Sequence, residues 1–198
     1  MKSNNKNLTE VYFIRHAQAD NTVRDGRIRP LTPKGINDAE KLPDIFKNIS
    51  VDRIYSSPFK RAIDTVTPIA EALQKNITII EDFRERRSDS IQTIPMPKLI
   101  KMQWNDFTYT LSDGECLHEV QRRNIDALNR VIAENNQKRI IIGTHGMALC
   151  TIMRYYRDLD IENVERILLT LPYIIRMDFI DGIFSDMIEM SEINISFA

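Results

Sequence analysis

The sequence predicts an α/β fold: three layers, α/β/α, around a central sheet whose strands are mostly parallel. Three observations lead there. Short unbroken apolar runs, "VYFI" (11–14), "ITII" (77–80) and "RIIIG" (139–143), suit strands buried on both faces. Other segments repeat apolar residues every three or four positions, which marks helices with one buried stripe. The two kinds of segment alternate, and alternation implies a parallel sheet covered on both sides.

Taken in order, "VYFI" is the first strand. "LTPKGINDAEKL" then starts a helix, with Thr32 as N-cap and Pro33 at the first helical position. Its stripe is Ile36, Ala39, Leu42, Phe46 and Ile49, and Pro43 within it predicts a kink or break. "VDRIYSSPFKRAIDTVTPIAEAL" reads as a strand over 51–55, a turn, and a helix capped by Ser57 and begun by Pro58. Phe59, Ala62, Val66, Ile69 and Leu73 form its buried stripe, with Pro68 an awkward occupant. "ITII" is the next strand.

The segment 84–111, with "IPMP" and no clean period, reads as an insertion of loops and a short helix, and its part from about 86 to 111 as a lid or wall. In "SDGECLHEV", Ser112 and Glu115 have the spacing of a capping box. Leu117, Val120, Asn124, Leu128 and Val131 continue that helix, and "GMALCTIMRYY" is another after the strand "RIIIG". "YIIRMDFIDGIFSDMIEM" gives two strands joined at Asp181-Gly182, a hairpin signal.

The 198 residues fit one domain with a substantial core, expected over 1–198. With 42% apolar and 28% charged residues the composition is that of a soluble globular protein. The 27 Lys and Arg against 28 Asp and Glu give no general attraction to nucleic acid or an anionic membrane, so an anion site must be local. A basic patch interleaved with aromatics, which nucleic acid would need, is missing. The polar start "MKSNNKNLTE" lacks a signal-peptide core, and no run approaches the ~20 apolar residues of a membrane helix. Cys116 and Cys150 have neither metal nor disulfide spacing, so a reduced, cytoplasmic setting is expected. The hairpin over 173–190 offers an edge for pairing, which leaves a homodimer open.

Two strands end alike. "VYFI" runs into Arg15-His16, and "RIII" into Gly143-Thr144-His145-Gly146. If the strands are parallel neighbours, two imidazoles meet at the carboxyl edge of the sheet, where ligands bind in such folds. Arg61 lies about one turn into a helix whose N-terminus itself attracts anions, and guanidinium forks suit phosphate oxygens. Arg15 would be a buried cation, which needs a counter-anion or a ligand. Alternation sends Arg15 and His16 to opposite faces, so they converge only where the chain leaves strand geometry. Glu85, in "EDFRERRSD", exits a strand where a carboxyl group can donate a proton. His118 reads as an ordinary helix residue.

"RHAQAD", "LTPKGINDAEKL", "SSPFKRAIDTV", "FRE" and "GTHGMAL" follow the order found in the histidine phosphatase superfamily, and from about residue 11 to 150 the chain resembles these phosphoglycerate-mutase-like proteins. The resemblance implies that His16 is a nucleophile that becomes phosphorylated. It implies that Arg15, Arg61 and His145 hold the phosphoryl oxygens and that Glu85 protonates the leaving oxygen, with no metal and no cofactor. An attacking imidazole must be neutral, so His16 needs a partner that fixes its tautomer, for which a nearby backbone carbonyl is expected. Gln18 fits the family pattern, and Ser57 stands where members often place a polar contact to phosphate. The family's small polar residue falls at Thr22, with Asn21 as its neighbour. The family usually has Gly and Thr where this chain has Ala17 and Ala19, and Ala17 could narrow the site by a methyl group.

The implied function is a phosphomonoester phosphatase acting on a small molecule. Two alternatives stand beside it: a phosphoglycerate mutase, and a non-catalytic phosphate-binding module of the same fold. The mutases follow the acid with roughly E-R-H-Y-G, of which only Glu85-Arg86 is present, and a short chain has less to close over a phosphoenzyme. The module is favoured only by Ala17 and Ala19. Arg86 and Arg87 could meet a second acidic group, favouring sugar phosphates or nucleotides. Trp104, Phe107 and Tyr109 could stack on substrate or pack within the insertion.

Overall fold

In the computed structural model the described residues are 7–88 and 93–190, so the start "MKSNNK", residues 89–92 of the expected insertion and residues 191–198 lie outside them. The strands are β1 (Leu8–Arg15), β2 (Arg53–Ser56), β3 (Ile77–Ile79), β4 (Arg139–Thr144), β5 (Tyr173–Ile180) and β6 (Ile183–Glu189). They form one sheet in the order β3-β2-β4-β1-β5-β6. β1, β4, β2 and β3 run parallel, and β5 and β6 close the sheet antiparallel. The helices are α1 (Pro33–Glu40), α2 (Leu42–Phe46), α3 (Lys60–Ala72), α4 (Met96–Asn105), α5 (Leu117–Glu134), α6 (Gly146–Tyr156) and α7 (Ile161–Leu169). None of the described helices is long and apolar enough to cross a membrane.

The pleat of β1 makes the layers. Val11 and Phe13 join a core with Leu128 of α5, Leu149 of α6 and Ile167 of α7. Tyr12 and Ile14 point the other way, to Leu42 and Phe46 of α2 and Val66 and Ile69 of α3. Each such fully buried side chain contributes about 1.5–3 kcal/mol, which is why "VYFI" reads as apolar without interruption. The three-layer expectation holds.

Register then places the chemistry. Arg15 of β1 pairs with Thr144 of β4, and Ser56 of β2 with Gly143. The ladder runs one step beyond the strands, His16 N donating to Thr144 O (3.1 Å) and Ser57 N to Gly143 O (2.9 Å). Residues 16, 57 and 145 therefore emerge side by side at the carboxyl edge.

Local expectations fared unevenly. Thr32 caps α1, its hydroxyl accepting from Gly35 N (3.0 Å), and the helix breaks before Pro43 as expected. Ile36 of the expected stripe is exposed, while Ala39, Leu42 and Phe46 are buried. α3 starts later than predicted, with Phe59 at the N-cap; Ser57 and Pro58 belong to the turn, because the Ser57 backbone still follows the sheet. Pro68 sits inside α3 without ending it, held by the buried neighbours Val66, Ile69 and Ala70. β3 is an edge strand, with Ile79 exposed.

The capping box of α5 joins Cys116 and Glu119, whose carboxylate accepts from Cys116 N (3.1 Å), and not Ser112 and Glu115, because Glu115 is engaged elsewhere. The helix α7 had no counterpart in the periodicity reading; its signal is Asp160, which caps it through Asn163 N (2.8 Å). Asp181 and Gly182 turn the final hairpin with φ of 51° and 80°, the left-handed pair that a two-residue turn needs.

Candidate active site

A cavity of about 770 Å³ opens at the carboxyl edge of β1. Its wall includes Arg15, His16, Gln18, Ala19, Asn21, Arg61, Glu85 and Arg86, with Phe59, Leu168 and Leu171 as an apolar side. Arg24, Arg27, Arg29, Arg84 and Arg87 complete a rim in which, among the described residues, eight arginines stand with two carboxylates, Asp25 and Glu85, and Arg27 and Arg84 are paired outside it with Glu81 and Glu115. The three arginines at 24, 27 and 29 escaped the sequence reading, although "RDGRIR" was the signal for them. The bridge between Ala19 and Leu31 folds their loop back over the site.

His16 Nδ1 lies 2.7 Å from the Ala17 carbonyl oxygen, which can only accept, so Nδ1 carries the hydrogen and Nε2 the lone pair. The expected tautomer-fixing carbonyl is thus that of the next residue. Burial lowers the His16 pKa to about 3, with the Arg61 charge adding to the effect, so the ring is neutral at physiological pH. Ala17 itself is accommodated: it is fully buried in a small apolar cluster with Leu31 and Ala39, its φ is not positive, and its N–H donates to Thr65 Oγ1 (3.0 Å).

His145 is completely buried beside His16, ring centroids 5.3 Å apart, with the Phe59 ring edge-on at 5.1 Å. Its Nε2 lies 2.7 Å from Ser57 Oγ, which also accepts from Phe59 N (3.2 Å), and its Nδ1 has no partner. Burial, then the nearby His16, Arg61 and Arg15, push its pKa well below the ordinary value.

Arg15 follows the pleat toward α7, where Nη1 donates to Ile167 O and to Thr170 O (3.1 Å), while Nε is buried without a partner. Gly146 makes room for it, since a Cβ there would stand 3.1 Å from Nε and 2.4 Å from Leu168 Cδ2. Arg61 donates from Nη1 to Gly26 O (2.5 Å) and stacks on Phe59, 5.0 Å from the ring centre. Burial lowers the pKa of both guanidiniums, that of Arg61 to about 10, and both stay charged at neutral pH.

Glu85 reaches the N-terminus of α6. Its Oε1 accepts from Arg86 N (2.8 Å) and Ala148 N (3.1 Å), and its Oε2 from Met147 N (3.2 Å). The geometry therefore brings together Arg15, His16, Ser57, Arg61, Glu85 and His145. Gln18 borders the cavity with its amide oxygen taken by Thr32 Oγ1 (2.8 Å). Thr22 is not brought in: its hydroxyl donates to Asp20 Oδ1 (2.7 Å) within a tight turn, and Asn21 lines the cavity in its place. Among the described residues of 86–111, only Arg86, Arg87 and Ser88 line it. Trp104 and Phe107 pack instead, both beneath Arg154 (4.8 and 4.6 Å to the ring centres), with Trp104 Nε1 donating to Leu159 O (3.0 Å).

Residues 11–185 match the family model of the histidine phosphatase superfamily (branch 1). The chain is 29% identical to the uncharacterized phosphatase PhoE of Bacillus subtilis (strain 168), the match covering 74% of this chain and 76% of that one. It is 27% identical to putative phosphoserine phosphatase 2 of Hydrogenobacter thermophilus, covering 81% and 84%. In three dimensions it resembles a mycobacterial glucosyl-3-phosphoglycerate phosphatase with a TM-score of 0.74 at 15% identity, over 92% of this chain and 97% of the other.

Proposed function

The chain belongs to the histidine phosphatase superfamily, and from that premise we propose that it is a phosphomonoesterase working through a phosphohistidine, with no metal ion in the chemistry. The observation that carries the reading is His16: neutral, buried against the cavity, with its hydrogen fixed on Nδ1 by Ala17 O and its Nε2 lone pair free. In the first step Nε2 attacks phosphorus and the ester P–O bond breaks. Glu85 gives its proton to the departing oxygen, releasing an alcohol; Oε2, which accepts a single N–H, has the lone pair on which that proton sits. Water then attacks the phosphohistidine, Glu85 takes its proton, the P–N bond breaks and inorganic phosphate leaves.

Charge on the transferring group falls to Arg15 and Arg61, with His145 and Ser57 supplying further donors. Phosphoryl transfer is mostly positioning and electrostatic stabilisation, and two buried guanidiniums serve both. A bound dianion opposes the push of the arginines on His145 and favours its donating, protonated form. Arg86 extends the reading to the substrate. It is 6% exposed, and among the described residues its Nε and Nη1 have no partner while its Nη2 meets Met96 Sδ at 3.7 Å. The preferred substrate accordingly carries a second acidic group beside its phosphate.

The test is release of inorganic phosphate from a panel of monoesters, with EDTA present, by the wild type and His16→Ala. Turnover should survive EDTA and fall by at least about 10³-fold in the variant, whose fold should persist because the ring faces the cavity. Full turnover in His16→Ala would sink the covalent mechanism.

A further inference from the structure

Arg123, on α5, lies outside the cavity, yet every donor it has is spent beneath the acid. Nε donates to Glu115 Oε1 (2.9 Å) and Nη2 to Glu115 Oε2 (3.0 Å). Nη1 donates to Asp82 O (2.6 Å) and Arg84 O (2.8 Å), and Nη2 also to Glu85 O (3.2 Å). A guanidinium has five N–H groups, and five bonds are made. Glu115 is equally saturated, since it also accepts from Arg84 Nη2 (2.8 Å) and Arg87 N (2.8 Å). Burial alone would raise the Glu115 carboxyl, but the bonds from Arg123 and Arg87 N hold its pKa below the ordinary value.

We infer that Arg123, locked in place by Glu115, is the positioning residue for Glu85. The inference rests on the reading of Glu85 as the acid. The pair grips the segment on both sides of Glu85, at 82 and 84 before it and at 87 after it, and takes the carbonyl of Glu85 itself. The Glu85 side chain is meanwhile fixed to α6 through Met147 N and Ala148 N. Its backbone is thus referenced to α5 and its carboxylate to the strand end that carries His145. A shift of the segment would move the proton relative to the leaving oxygen and leave His16, Arg15 and Arg61 where they are. A lysine cannot replace Arg123, because a single ammonium cannot face three carbonyls and a carboxylate in one fixed plane.

The experiment compares R123Q, R123K, E85Q and the double variant E85Q/R123Q on an activated aryl phosphate, whose leaving group needs no proton, and on an alkyl phosphate, whose leaving group does. General acid catalysis contributes roughly 10²–10⁴-fold, so R123Q and R123K should each lose about 30- to 100-fold in kcat/KM on the alkyl ester and under about threefold on the aryl ester, because kcat/KM reports transfer to His16 and not the hydrolysis of the phosphohistidine common to both. Adding R123Q to E85Q should lower kcat/KM on the alkyl ester no more than about twofold further. Equal losses on both esters, full recovery in R123K, or losses that multiply in the double variant would overturn the inference. If R123Q fails to fold, R123K alone decides by the same comparison. An E85Q that treats both esters alike sinks the acid assignment separately, and the double variant still reports whether Arg123 acts through Glu85.

Discussion

At the amino ends of β1 and β4, Glu10 receives Arg139 Nε, accepts from Tyr12 OH (3.1 Å) and lies 3.6 Å from Arg176 Nη1. Arg176 Nε in turn lies 2.9 Å from Asp178 Oδ1. Five residues further along the same strand, the buried Arg15 donates to the carbonyls of Ile167 and Thr170 and the buried Arg61 to that of Gly26, and among the described residues neither has a carboxylate in ion-pair contact. The sheet therefore pairs Arg139 and Arg176 with carboxylates at one end and leaves Arg15 and Arg61 without one at the other. Burying a charge without a partner costs several kcal/mol. On the proposed reading an arriving anion completes such charges, and the comparison then separates ions that serve folding from ions held for the phosphoryl group.

The sharpest way to break this contrast is Arg61→Ala. If Arg61 is held for the ligand, kcat/KM should fall by roughly 10³-fold, in line with losses of transition-state cations elsewhere. The melting temperature should shift by less than about 2 °C, because a desolvated cation is removed along with its bond to Gly26 O. A variant that loses stability and activity together would place Arg61 with the structural ions.

How far this division could be read from sequence depends on the range of the interaction. The strand ends, the Thr32–Pro33 start of α1 and the Asp181-Gly182 turn are local, and "RH" and "GTHG" mark their strand ends directly. Ser57 misled as a cap because a serine before a proline satisfies the local rule, while its backbone follows Gly143 across the sheet. Glu115 misled in the same way. Its partner is Arg123, two turns along α5, and the carbonyls that Arg123 gathers belong to a segment about forty residues earlier. Carbonyls leave no trace in residue identity, which is why that grip was invisible.

Acid should sharpen the contrast by a smaller amount. His16 stays unprotonated in the fold down to about pH 3, whereas the unfolded chain binds a proton near pH 6.5. Between these values the unfolded state holds more protons, so stability rises with pH and is lost on acidification, by about 1.4 kcal/mol per pH unit for each such group. His145 is shifted in the same direction. Removing one of them in His16→Asn should make the fall in melting temperature from pH 6.5 to 4.5 shallower, equivalent to about 2–3 kcal/mol over that range. Parallel curves for the two proteins would mean that His16 titrates normally.

The smallest effect belongs to the paired end. Glu10→Gln keeps the side-chain volume and removes the charge that Arg139 and Arg176 share. Arg139 has 47% of its side chain exposed, so water replaces much of what it loses, and Arg176 retains Asp178. The loss should be only about 1–2 kcal/mol, or roughly 2–8 °C in melting temperature. Because Glu10 stands five residues from the site along a rigid central strand, kcat/KM should not change. Thermal melts and phosphate release on the same preparation decide it: a variant that melts normally but turns over slowly would show that charge at the amino end reaches the cavity, and the two ends would no longer be separable.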